Sequence, residues 1–179
     1  MAAFLMIAGS MIFGIGAAIG VPRVFMTQDP ADRLRLLEDR RTAWRAAGPL
    51  YAAGPLIAAV GVGVLAAAGG PGRVLYALAS VLLTVGALAW ARSAVQRVRR
   101  VRAFAYGELP GWPFAAYVWL TIAGLALLGA GLLRDDVPAW LGWLTLAADA
   151  AFLVGYLRAK DIPPFFFYLL FILIGVVLL

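Results

Sequence analysis

The sequence predicts an all-α polytopic membrane protein: a compact bundle of six transmembrane helices with one amphipathic helix at the cytoplasmic interface. The 179 residues are 64% hydrophobic and 13% charged, and the mean hydropathy is +0.94. A soluble domain of this length is far less apolar. Apolar runs long enough to cross a hydrocarbon layer about 30 Å thick recur between short polar segments. We therefore interpret residues 1–179 as a single transmembrane domain.

Six spans are predicted where apolar runs are bounded by charges, glycines or prolines: 1–20, 50–69, 74–91, 113–133, 138–157 and 164–179. The first run is retained as a helix and not interpreted as a signal peptide, because its basic residues follow it instead of preceding it. Gly16 and Gly20 form a GxxxG pair, which lets a neighbouring helix approach closely. That neighbour belongs either to the same subunit, which the pattern favours, or to a second copy.

The longest polar segment carries its own helix signature over residues 30–47. Asp29 is a good N-cap and Pro30 suits the first helical position. Leu34, Leu37 and Trp44 share a face, which predicts an amphipathic helix lying in the headgroup layer and ending at Gly48-Pro49. The alternative is a simple connector.

Basic residues are distributed unevenly along the chain. The segments after the first, third and fifth predicted spans hold thirteen of the fifteen basic residues. The positive-inside rule places these segments in the cytoplasm and both termini outside. The preference for Arg and Ala over Lys indicates a GC-rich bacterial genome, and hence the cytoplasmic (inner) membrane of a bacterium.

Four arginines in close succession form the densest basic cluster: Arg97, Arg99, Arg100 and Arg102. Such a cluster is typical of a site for anionic lipid headgroups, although it can equally be only a topology determinant. The predicted partners are membrane lipids, with a homo-oligomer or a partner subunit as further possibilities. Nucleic acid is not expected, because the charges fall beside apolar spans.

The sequence contains neither Cys nor His. Disulfides, thiol catalysis and imidazole or thiolate metal sites are therefore excluded. With so few carboxylates, we expect no metal, no cofactor and no enzymatic activity.

The strongest candidate for a functional residue is Asp149, which lies about 16 Å from Pro138 and so near the centre of the fifth predicted span. An acid at that depth costs about 2.5–3.5 kcal/mol and is normally paired or protonated. Thr145 and Tyr156 share its helical stripe. Residues on other spans reach similar depth, and complete a predicted midplane site: Thr84, Thr121, Pro55 and Tyr168.

Pro55 contributes to this site through the backbone. It cannot donate to the carbonyl of Tyr51, which must find another partner within the membrane.

Three interpretations of Asp149 remain open. It binds or passes a small solute or a proton; or it clamps helices through a hydroxyl of Thr121 or Thr84; or it meets a missing partner protein. We expect a protein that binds or translocates a small solute or proton. The alternative is a non-catalytic subunit or scaffold that docks anionic lipid or a partner protein through its Arg-rich loops.

Overall fold

The computed structural model describes all of residues 1–179, which form eight α-helices and one 3₁₀ turn, Pro22–Phe25, without any β-strand. The helices are α1 (Ala2–Ile19), α2 (Pro30–Asp39), α3 (Arg41–Ala68), α4 (Arg73–Arg99), α5 (Val101–Ala105), α6 (Trp112–Leu132), α7 (Ala139–Ala159) and α8 (Phe165–Val177).

Five helices, α1, α3, α4, α6 and α7, are long and apolar enough to cross a membrane. The predicted all-helical, multi-pass architecture is confirmed at this level. The sixth predicted span is α8, which has 13 residues and a length of about 20 Å, shorter than the hydrocarbon layer. The predicted count of six spans is therefore not confirmed: five helices are long enough to span, and the sixth predicted span is a shorter apolar helix.

The long helices pack mainly against the long helices next to them in the chain. The helix α1 packs on α3, α3 on α4, α4 on α6 and α6 on α7, while α8 returns to pack against α1. The contact between α7 and α8 is slight. We call the end of the bundle formed by residues 22–46, 92–111 and 158–163 the Arg-rich end, and the opposite end the turn end.

The turn end is held by a hydrogen bond between two loops. The backbone N–H of Gly72, after α3, donates to Oδ1 of Asp135, after α6, over 2.7 Å. This bond satisfies a backbone donor at the start of α4 and joins the two interhelical turns.

Glycines set the close approach of α1 and α3. A Cβ built on Gly9 would lie 2.5 Å from the backbone nitrogen of Ala58 and 2.6 Å from the carbonyl oxygen of Gly54. A Cβ on Gly16 would lie 2.9 Å from Cβ of Leu50. The close approach predicted from the small residues of α1 therefore occurs, and it occurs within one chain.

The boundary between α2 and α3 differs from the prediction. The break is at Arg40, whose backbone (φ −112°, ψ 29°) leaves the helix, and α3 then runs through both Pro49 and Pro55. Gly48 does not end a helix; it gives room to α4, because a Cβ there would lie 2.8 Å from Val98. Each proline removes one backbone hydrogen bond but leaves the helix continuous.

The helix α4 extends eight residues beyond the predicted end at residue 91. No Gly or Pro interrupts residues 87–106, and Arg, Ala and Gln are good helix formers. Arg97 and Arg99 consequently lie on a helix and not in a loop.

The apolar face of α2 is covered by protein. Leu37 is buried together with Val21, Val24, Trp44 and Ala105, partly from the 3₁₀ turn and α5. The 3₁₀ turn, α2 and α5 form a small cap on the Arg-rich end. The predicted headgroup-layer helix over residues 30–47 is therefore a shorter helix within this cap.

The tryptophans of the chain differ in exposure. Trp44 and Trp90 are within the protein, whereas Trp112, Trp140 and Trp143 are exposed on its surface. Exposed tryptophans near the ends of apolar helices are typical of the aromatic belts of membrane proteins.

The α1–α3 contact generates a stability prediction. Gly9→Ala should lower the free energy of unfolding by about 1–3 kcal/mol, because its Cβ meets backbone atoms that cannot move independently. Gly14→Ala is the matched control, since nothing lies within 4 Å of its added Cβ. Thermal and denaturant unfolding of both variants in one neutral detergent measures the difference, and equal stability would contradict the observed crossing.

Candidate binding cavity at the Arg-rich end

Asp149 faces inward as predicted. It is 7% exposed, and its Oδ1 has no hydrogen-bond partner. Two polar residues neighbour it on the stripe: the Thr145 hydroxyl donates to the carbonyl of Leu141 over 2.8 Å, and the ring of Tyr156 packs edge-on against Trp119. Asp149 is therefore an unpartnered acid on the inner face of α7.

The other predicted midplane residues lie apart from Asp149. Pro55, Thr121 and Tyr168 line a cavity of about 10 Å³ inside the bundle, which has room for at most about one water. The Tyr168 and Tyr117 hydroxyls are hydrogen-bonded across it at 2.9 Å. Thr84 is half-buried and does not line this cavity.

The predicted site thus divides: α7, which carries Asp149, packs chiefly on α6, whereas Pro55 and Tyr168 lie on α3 and α8. Thr121, although on α6, lines the small cavity with them. No hydrogen bond joins Asp149 to Thr121 or Thr84, so the structure lacks the predicted hydroxyl clamp. Equal depth along several helices does not establish which helices, and which of their faces, meet.

The carbonyl that Pro55 frees has a protein partner. The indole Nε1–H of Trp90, on α4, donates to the Tyr51 carbonyl over 2.9 Å. This bond satisfies an acceptor within the bundle and fixes the plane of the Trp90 ring.

The Trp90 ring forms part of the wall of a cavity of about 700 Å³ at the Arg-rich end, far larger than the small cavity inside the bundle. Its volume is typical of small-molecule sites. The walls come from the ends of the long helices, the cap and the segment before α8. They are mainly aromatic and aliphatic, and include Phe13, Phe25, Trp44, Tyr51, Trp90, Phe104, Phe114 and Phe165.

Arg97 is the cation of this cavity. Its guanidinium carbon lies 5.0 Å from the ring centre of Trp90 and 5.3 Å from that of Phe104, within the range of cation–π attraction. No carboxylate lies within 4.0 Å of its nitrogens. A guanidinium stacked on rings still presents its planar N–H edge to an oxyanion.

Two further charged residues line the cavity. Arg33 donates to the carbonyl of Thr27 over 2.7 Å and to that of Ala105 over 3.1 Å, so it joins α2 to α5 and holds the cap together. Asp161, exposed in the segment before α8, supplies a carboxylate. Arg97 is thus the cation whose N–H groups have no protein acceptor.

The remaining predicted headgroup arginines differ from Arg97. Arg99, Arg100 and Arg102 are all exposed, and the guanidinium of Arg102 lies 5.9 Å from the ring centre of Tyr106. None of the three lines the cavity. The structure therefore separates one inward arginine from three surface arginines.

Sequence reasoning missed this cavity, although one signal was present. Trp90 and Arg97 are seven residues apart, and that spacing places them on one face of a helix. The signal was lost because the helix was predicted to end at residue 91. The other walls, such as Phe25 and Phe165, are too distant in sequence for any local pattern to join them.

The fold and the cavity define a helical, membrane-embedded, multi-pass protein with an aromatic-walled cavity at its Arg-rich end. Comparison of the chain with protein-family models, curated proteins and solved structures finds no match.

Proposed function

We propose that this protein is a bacterial inner-membrane protein that binds a small anionic solute in the cavity around Arg97. The observation that carries the proposal is the Arg97 guanidinium, which lies inside an aromatic-walled cavity of about 700 Å³ without an acceptor for its N–H groups. A cation in apolar surroundings strongly favours an oxyanion partner, since hydrogen bonds to charged groups contribute about 1.5–3 kcal/mol.

The surroundings of Arg97 support a specific site. Its aromatic neighbours are themselves held: Trp90 by the hydrogen bond to Tyr51, and Phe104 by stacking on Trp44 with ring centres 5.4 Å apart. The guanidinium is therefore positioned before any ligand arrives, which reduces the ordering cost of binding.

Arg97→Gln should weaken binding of butyl phosphate, a soluble organic anion, at least tenfold, because it removes the charge and the forked donor. Arg97→Lys should have an intermediate effect, since it keeps the charge alone. Arg99→Gln is the matched control and should bind as wild type. Intrinsic tryptophan fluorescence, titrated in neutral detergent, measures all four dissociation constants.

The same experiment distinguishes the proposed cavity site from the alternative function. In that alternative, the protein is a non-catalytic subunit or scaffold that docks anionic lipid or a partner protein through its surface arginines. The exposure of Arg99, Arg100 and Arg102 supports that alternative. An equal loss of binding in Arg97→Gln and Arg99→Gln would favour diffuse surface charge over the cavity.

Proton or cation passage at Asp149 is a second candidate function. Its support is the buried Oδ1 without a hydrogen-bond partner, because unpartnered acids at membrane depth are commonly part of solute or proton pathways. Thr145 and Tyr156 remain the polar neighbours on its stripe. Thr84, Thr121, Pro55 and Tyr168 are not included in this proposal.

Asp149→Asn and Asp149→Leu distinguish passage from structure. Asn retains the size of the acid but cannot release a proton, so it should abolish pH-driven flux in proteoliposomes while leaving thermal stability near wild type. Leu should raise the free energy of unfolding by about 1–3 kcal/mol, because it removes a buried polar group that has no partner to orphan. Asp136→Asn, at an exposed acid, is the control for flux. Unchanged flux in Asp149→Asn would refute this second candidate.

We also propose that the Arg-rich end faces the cytoplasm and that both termini face outside. The support is the concentration of thirteen of fifteen basic residues at that end.

Cysteine labelling tests this orientation without background, because the chain has no native cysteine. In intact cells, an impermeant maleimide should label Asp136→Cys at the turn end and spare Arg100→Cys, both at exposed positions. Permeabilised cells, in which both should react, provide the control. The reverse pattern of labelling would invert the orientation.

A further inference from the structure

We infer that the ligand of the Arg97 cavity is an anionic amphiphile, a molecule with one oxyanion group and an attached apolar chain. This inference rests on the proposed function and adds the chemical class of the solute. Two kinds of ligand, a membrane amphiphile and a free inorganic anion, would both present an oxyanion to Arg97.

The distribution of polar and apolar groups in the cavity supports an amphiphile. Arg97 supplies a single free cation, and the lining of the cavity also includes the rings of Phe13, Phe25, Phe114 and Phe165. A bare anion would satisfy Arg97 but leave these rings in contact with water. An apolar chain beside the oxyanion would cover them, and burial of such surface drives binding.

The position of the cavity supports the same class. Its walls combine residues of the long apolar helices, such as Phe13 and Trp90, with residues of the cap, such as Phe25 and Phe104. The cavity therefore lies where the spanning helices meet the polar end of the protein. An amphiphile places its own boundary between apolar and charged parts at that level of a membrane.

Asp161 limits the charge of the ligand. Its carboxylate lines the same cavity and repels a second negative charge. A headgroup of low charge is thus favoured over a polyanion.

A chain-length series tests the inference on the full-length protein in neutral detergent. The probes are inorganic phosphate and ethyl, butyl, hexyl and octyl phosphate, with octyltrimethylammonium as the cationic control. The affinity of wild type should rise by up to about fourfold for each added methylene and level off once the chain fills the cavity. Octyltrimethylammonium should bind at least tenfold more weakly than octyl phosphate.

Two variants separate the headgroup from the chain. Arg97→Gln should weaken every alkyl phosphate at least tenfold, and the same titration in this variant corrects for uptake of the probes by micelles. Asp161→Asn should tighten every alkyl phosphate by about two- to fivefold, as loss of a partly screened repulsion predicts, without changing the dependence on chain length.

The possible failures are distinct. Equal affinity for inorganic, ethyl and octyl phosphate in wild type, with all of them weakened in Arg97→Gln, would overturn the amphiphile and keep the anion site. Equal binding of octyl phosphate and octyltrimethylammonium, unaffected by Arg97→Gln, would overturn both the amphiphile and the proposed function.

Discussion

The hydrogen bond from Trp90 to the Tyr51 carbonyl is the interaction on which the Arg-rich end depends. Pro55 leaves that carbonyl without its helical donor, and within a membrane an unsatisfied carbonyl costs several kcal/mol. The indole N–H supplies the missing donor. The same bond joins α3 to α4 and orients the ring on which Arg97 stacks, so a backbone requirement of one helix determines the position of a charge on the next.

The path from that bond to the cavity runs through aromatic contacts. Phe13 packs near both Tyr51 and Trp90 and stacks on Tyr168, with ring centres 4.1 Å apart. Tyr168 in turn bonds to Tyr117 across the bundle. Rings from α1, α3, α4, α6 and α8 therefore form one connected cluster beneath the cavity. Such a cluster has few rotatable groups, which gives the cavity a fixed floor while the cap above it is joined by Arg33 through two backbone carbonyls.

The helical class and five of the spanning helices could be predicted from hydropathy alone, because a membrane span needs only a long apolar run. The ends of the helices were harder to predict. Pro49 and Arg92 both resemble boundaries, yet α3 and α4 continue through them, since contacts such as that between Gly48 and Val98 support the extended ends. The inward direction of Asp149 followed from its stripe, whereas its separation from Pro55 depends on the order of helices around the bundle, which no local pattern contains.

Two ionisable side chains without an ion pair, the half-buried Arg97 and the buried Asp149, are stabilised unequally. Two aromatic rings attract the Arg97 guanidinium, each by about 0.5–2 kcal/mol, in proportion to its desolvation. Nothing hydrogen-bonds to Oδ1 of Asp149, so the cost of its burial is not offset when it is charged. The Arg97 guanidinium is therefore stabilised and positioned by protein groups, whereas the Asp149 carboxyl lacks such stabilisation. This asymmetry supports the proposal that the ligand is bound at the Arg-rich end, and it limits the second proposal, for Asp149, to exchange of a proton or capture of a cation.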